Sequence, residues 1–138
     1  MKRFSAILTV IIAGFCSAGA LQAQTHEARA TIPFNFVVGK AQLPAGQYTF
    51  LTNSENSIVI RNRNRPLTVI SLIELESRVP AVGDSHLVFH KYGDHYFLSE
   101  VRCSWATMNG EVPSTKLEKK ARTEEASVAP ASVLIAAE

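Results

Sequence analysis

The sequence predicts an all-β protein, a single antiparallel β-sandwich or small barrel of about six to seven strands with a short C-terminal helix. Three observations carry this expectation. Short runs alternate apolar and polar residues, the period-two mark of strands with one buried face. Pro, Gly, Asn and Asp recur between the runs at turn spacing. The chain has 138 residues, room for one core rather than two.

The first element is an address rather than a fold. Met1-Lys2-Arg3 is a positive head, Phe4 to Gly14 is mostly apolar, and Ala18 to Ala23 offers small residues at cleavage spacing. Residues 1–23 therefore read as a secretory signal peptide. A lipid anchor on Cys16 is disfavoured because Phe15 stands where a small residue is needed. The organisation expected is a signal over 1–23, a β domain with its helix over 24–125, and a flexible tail over 126–138.

Within the domain, Ile32, Phe34, Phe36 and Val38 alternate with Thr31, Pro33, Asn35 and Val37, giving one strand. Pro33 lacks an N–H, so this strand belongs at an edge or carries a bulge. Leu43-Pro44-Ala45-Gly46 is a turn signal, because Pro presets φ and Gly accepts positive φ. Gln47 to Thr52 follows as a strand, then a polar turn over 53–56, then a strand from Ser57 to Arg61. Pro66 to Leu75 is nearly all apolar, which predicts a central strand buried on both faces. Residues 79–84, with Pro80 and Gly83, form a loop. His86 to Tyr92 and His95 to Arg102 flank Gly93-Asp94, a two-residue hairpin turn that sets Tyr92 opposite His95 and His90 opposite Phe97. Thr115-x-x-Glu118 has capping-box form and opens a charged, alanine-bearing helix over 116–125. The tail contains Val133-Leu134-Ile135, a patch able to dock on the domain.

Two segments carry a family likeness. One is Ile32-Pro33-Phe34-Asn35-Phe36-Val37-Val38-Gly39 with Leu43-Pro44-Ala45-Gly46-Gln47-Tyr48. The other runs from Leu87-Val88-Phe89-His90-Lys91-Tyr92-Gly93-Asp94 through His95-Tyr96-Phe97-Leu98-Ser99-Glu100-Val101. Together with Pro113-Ser114-Thr115-Lys116-Leu117-Glu118 they resemble a family of uncharacterised small secreted bacterial β-proteins. The sequence departs from that pattern after Val101, where Arg102-Cys103-Ser104 precede Trp105. The resemblance implies secretion and an all-β fold, and transfers no catalytic or binding residue.

Charge and cysteine use exclude whole classes. Lys plus Arg is 14 against 12 Asp plus Glu, and the two excess charges, Lys2 and Arg3, sit in the signal. A chain without clustered cations does not neutralise phosphates, so no nucleic-acid partner is expected. The apolar N-terminal run is short for a bilayer and no second one follows, so no membrane span is expected after cleavage. With Cys16 removed, Cys103 is the sole thiol, which excludes an internal disulfide, a zinc ribbon and a Cys-x-x-Cys redox pair.

Candidate chemistry is sparse. His86, His90 and His95 share one face of the expected hairpin. His86 and His90 are separated by about 13 Å along the strand. His90 and His95 lie diagonally at about 7 Å and could share a metal only with a third ligand such as Asp94; the plain reading is histidines on a solvent face. Asp84-Ser85-His86 has the letters of a triad, but neighbours on a strand point apart. Glu74 and Glu76 share a strand face at about glycosidase spacing, yet the domain has little room for a cleft. Arg61, Arg63 and Arg65 could clamp an anion if extended, or solubilise a hairpin tip. Six aromatics, Phe34, Phe36, Tyr48, Phe50, Phe89 and Phe97, could line a ligand cavity inside a barrel, or simply pack a core. No phosphate loop, dinucleotide fingerprint or nucleophile elbow is present.

These readings converge on an exported, non-enzymatic envelope protein, periplasmic or extracellular. It needs no cofactor and acts as a structural or protein-binding module for another exported component. The alternative is a small-ligand carrier using the aromatic-lined interior.

Overall fold

The computed structural model describes residues 27–54, 56–75, 83–103, 108–125 and 131–138. The segment expected as a signal peptide, 1–23, together with Glu76, Pro80 and the stretch from Ser104 to Trp105, lies outside the described residues.

The chain forms β1 (Glu27–Ile32), β2 (Phe36–Val38), β3 (Ala41–Leu43), β4 (Gly46–Ser54), β5 (Ser57–Asn62), β6 (Thr68–Leu72), β7 (Glu74–Leu75), β8 (His86–Tyr92), β9 (His95–Cys103), β10 (Met108–Glu111), α1 (Lys116–Glu124) and β11 (Ala131–Ala136). Two sheets result. The first has order β1-β4-β5-β6, all antiparallel. The second has order β11-β8-β9-β10-β7, with the β2–β3 hairpin joining β9 through one parallel pair, Val37 and Phe97. The sheets do not close into a barrel, so the fold is an all-β sandwich with a short helix.

The core follows from alternation. Ala28, Ala30 and Ile32 of β1, Tyr48 and Phe50 of β4, and Ile58 and Ile60 of β5 point inward from the first sheet. Phe36, Leu43, Leu87, Phe89, Leu98 and Val101 meet them from the second. Aromatic edges run through this layer: Tyr48 meets Phe36 at 5.2 Å, Phe36 meets Phe89 at 5.4 Å and Phe89 meets Phe34 at 5.2 Å, all near perpendicular. Edge-to-face contact suits the ring quadrupole and adds to the area buried.

Four expectations change. The strand expected over 31–38 splits into β1 and β2, which belong to different sheets. Pro33 lies exposed in the gap, where a residue with no N–H lets the ladder end and the chain cross. The run Pro66 to Leu75 is not a central strand: β6 is an edge, and Ile70 and Leu72 are 66% and 70% exposed. Its unbroken apolar character comes from a corner. Ile73 turns inward between β6 and β7, its N–H bonded to Asn56 O at 3.0 Å, so one run serves two sheets in succession. The segment expected as a flexible tail contains β11, paired in register with β8 from Ala131–Lys91 to Ala136–His86. Glu138 then exchanges both backbone hydrogen bonds with Arg29 of β1, at 2.8 and 2.9 Å, which ties the second sheet to the first. The shortness of β2, β3 and β7 raises the strand count among the described residues to eleven.

The hairpin forms as its turn predicts. Tyr92 opposes His95, His90 opposes Phe97 and Phe89 opposes Leu98. Gly93 takes φ 57°, the left-handed conformation that the first turn position demands. Helix α1 starts at the expected cap, with Thr115 Oγ1 accepting from Glu118 N.

Candidate binding surface

The two sheets differ on their outer faces. On the second, Val37, Tyr92 and Phe97 form a small apolar cluster with Ala121 of α1 packed on it. Glu118 is buried there, its carboxylate 3.4 Å from His90 Nδ1. Burial raises the Tyr92 phenol above its ordinary pKa, the Glu118 carboxylate adds to this, and Arg122 opposes it. The helix thus serves as the cover of this face.

No helix lies on the outer face of the first sheet among the described residues. Because Phe50, Ile58 and Ile60 face the core, Leu51 and Val59 face out. Registration sets Leu51 opposite Val59 and Val59 opposite Ile70, so three apolar side chains form one cross-strand row. Leu72 extends the patch along β6. The next row is polar and basic: Arg29 opposes Thr49, Thr49 opposes Arg61, and Arg61 opposes Thr68. An apolar stripe beside a polar row bearing Arg61, on a face that no helix among the described residues covers and that ends in a sheet edge, is the arrangement of a protein-docking surface. The unbroken apolar run Pro66 to Leu75 hides these residues in the sequence, because such a run predicts burial on both faces. The signal was present one strand earlier. Ile58-Val59-Ile60 is three apolar residues in a strand, so one must face away from the core.

The predicted site residues are dispersed. Phe36, Tyr48, Phe50 and Phe89 are buried against one another in the core, and Phe34 stacks on Tyr96 at 3.9 Å. Phe97 lies on the opposite face of its sheet, beneath α1. Four of these rings pack between the two sheets, and neither of the two hollows at the surface described next is bordered by more than one of the six. Tyr48 also spends its hydroxyl locally, donating to Pro44 O at 2.6 Å and pinning the turn. A groove of about 520 Å³ lies at the seam where the C-terminal segment meets β1, bordered by Arg29, Thr31, Gln47, Arg63 and Glu138. Of the six aromatics it touches Tyr48 alone. A hollow of about 220 Å³ beside α1 is bordered by His95, Phe97 and Leu117.

His90 and His95, the proposed metal pair, turn to different neighbours. His90 engages Glu118, while the His95 ring lies 6.5 Å from Phe97. No group of three or more His, Cys, Asp or Glu gathers around a common point among the described residues. His86 Nδ1 contacts the Asp84 carbonyl at 2.9 Å, so the Asp84-Ser85-His86 letters build no relay. Glu74 opposes Glu111 across β7 and β10, and its suggested companion Glu76 is outside the described residues. Arg61 is the penultimate residue of β5, and Arg63 and Arg65 occupy the exposed β5–β6 turn, where Asn62 Oδ1 accepts from Asn64 N and Arg65 N. Cys103 is buried at a strand end and burial pushes its thiol up to about 11, which makes it a poor nucleophile.

Comparison with known proteins finds no matching family model, no matching curated protein and no matching solved structure.

Proposed function

We propose that the protein is an exported, non-enzymatic envelope component that binds another exported protein through the outer face of its four-stranded sheet. The observation that carries this reading is the outward apolar row Leu51–Val59–Ile70, in which Leu51 and Val59 are half-buried and Ile70 is exposed, with exposed Leu72 beside it. Export is supported by the signal-like layout of residues 1–23. Arg29 is ion-paired with Glu27, so Arg61 is the cation of the adjoining row that favours a partner with an acidic group beside its apolar strip.

Site-specific photo-crosslinking in the native host tests it. A photoreactive residue at Leu51 is expected to give one discrete adduct with an envelope protein, lost when Val59→Lys is added. The same probe at Lys119, exposed on α1, is expected to give none. Equal labelling from both positions overturns the reading.

A further inference from the structure

Edge strands of stable monomers usually carry a guard, such as a charge, a proline or a bulge, because a bare edge invites another strand. The opposite edge of the first sheet has such a guard, since β1 bears Glu27 and Arg29, and Glu138 bonds to its backbone. β6 has none. It reads Thr68-Val69-Ile70-Ser71-Leu72, holds unbroken register with β5 over its whole length, and pairs with β5 alone among the described residues. Its two exposed apolar side chains, Ile70 and Leu72, stand at this edge.

We propose that two copies of this chain pair through β6, antiparallel, about a two-fold axis at Ile70, to form one eight-stranded sheet. The inference uses the same apolar row as the proposed function and rests on that surface being free. Three features of the page select a second copy as the occupant. First, Ile70 is the middle residue of β6, so a two-fold axis there sets Ile70 against its twin and Thr68 against Leu72. The row Leu51–Val59–Ile70 then continues unbroken into its own mirror order in the second copy. Second, the charges fit only the antiparallel arrangement. The row Arg61–Thr68 runs into the second copy's Leu72–Ser57, so no two guanidinium groups oppose each other. The basic turns carrying Arg63 and Arg65 come to opposite ends of the joined edge, whereas a parallel arrangement would place them side by side. Third, self-pairing consumes both bare edges and closes the assembly, while pairing with a different edge would leave β6 free on one copy and propagate. The contact is small, so the dimer is expected to be weak, in the micromolar range. The outer face stays open in it, and its apolar row doubles in length.

Sedimentation of the purified protein over a concentration series tests the pairing. The wild type is expected to be dimeric at high concentration. Ile70→Lys and Ile70→Glu are each expected to be monomeric, since each puts like charges together on the axis, and an equimolar mixture of the two is expected to dimerise again. A position 66% exposed tolerates both changes, and circular dichroism checks that each variant is folded. A wild type that stays monomeric into the millimolar range overturns the proposal. So does a dimer that survives Ile70→Lys, because it must pair elsewhere. If the single variants are monomeric but their mixture is too, the two-fold at Ile70 is wrong. Val59→Lys separates this inference from the proposed function: it is expected to leave the dimer intact while abolishing the Leu51 adduct. Loss of the dimer together with the adduct sinks the pairing alone, and an intact dimer with the adduct retained sinks the docking reading alone.

Discussion

Ile73 and Gly110 show how one residue constrains another across a corner. A Cβ built on Gly110 would lie 2.9 Å from Ile73 Cδ1 and 3.2 Å from its Cβ, so no rotation of the isoleucine clears both. Gly110→Ala is therefore expected to destabilise the fold by about 1–3 kcal/mol through overpacking, read as a lower urea midpoint. Ile73→Val in the same chain should recover part of that loss, because it removes the Cδ1 methyl. Cys103 gives a pH signature. Its thiol is raised from 9.0 to about 11 by burial, so the folded chain holds a proton that the unfolded chain releases. Stability from this group is complete below about pH 9 and is lost as pH rises towards 11, because the unfolded state then binds fewer protons. Tyr92, also raised by burial and by Glu118, acts in the same direction from its ordinary value of 10.0 upward. The urea midpoint should fall across that window, and Cys103→Ala should flatten the fall. An unchanged slope in that variant would assign the effect to other groups. Neither residue was legible at this level of detail: Cys103 reads as a small apolar residue at a strand end, and Gly110 gives no signal without its neighbour.

Elements were legible in proportion to how local their cause is. The β8–β9 hairpin was predictable to the residue pair, because a two-residue Gly93-Asp94 turn sets the register by itself. The helix was equally clear, because Thr115 and Glu118 stand at cap spacing. In the structure Glu118 turns to His90 instead of reaching back towards the cap, so one residue of the capping motif became part of the packing against β8. Thr115→Ala is expected to cost about 1 kcal/mol by orphaning the Glu118 N–H, seen as lower protection of α1 amides in hydrogen exchange with the sheet amides unaffected. β6 and β11 were misread because their causes are not local. An apolar run cannot show whether both faces are buried or whether a corner divides it, and Ile73 divides this one. A stretch rich in Ala, Ser and Val has little of its own to favour a strand; β11 forms because β8 offers it an edge. The outward apolar row has the same origin, since it exists only once β4, β5 and β6 are in register.

At the scale of the molecule, the chain crosses between the sheets three times, from β1 to β2, from β3 to β4, and from β6 through Ile73 to β7. A non-covalent junction adds to these, Glu138 with Arg29, reinforced where Ala137 N donates to Ser85 O at 2.9 Å. β11 seats Val133 and Ile135 partly against the core and leaves Leu134 65% exposed, so it contributes modest burial but covers the edge of β8 from His86 to Lys91. A chain ending at Glu125 should keep one cooperative transition, because the aromatic layer shared by both sheets is untouched by the deletion. Partial burial of two aliphatic side chains is worth about 2–4 kcal/mol, which sets the expected loss of stability. The larger consequence concerns association. Removing β11 bares the edge of β8 and frees the Arg29 side of β1, creating new pairing surfaces on the side of the sandwich opposite the existing β6 edge. A molecule with bare edges on both sides no longer closes by a two-fold contact and is expected to grow into extended aggregates. Light scattering checks this: the truncated chain should grow beyond a dimer as concentration rises, where the full chain stops at one, and Ile70→Lys in the truncated chain should slow the growth by removing one of its edges. A truncated chain that grows no further than a dimer would show that β8 is protected by something other than β11.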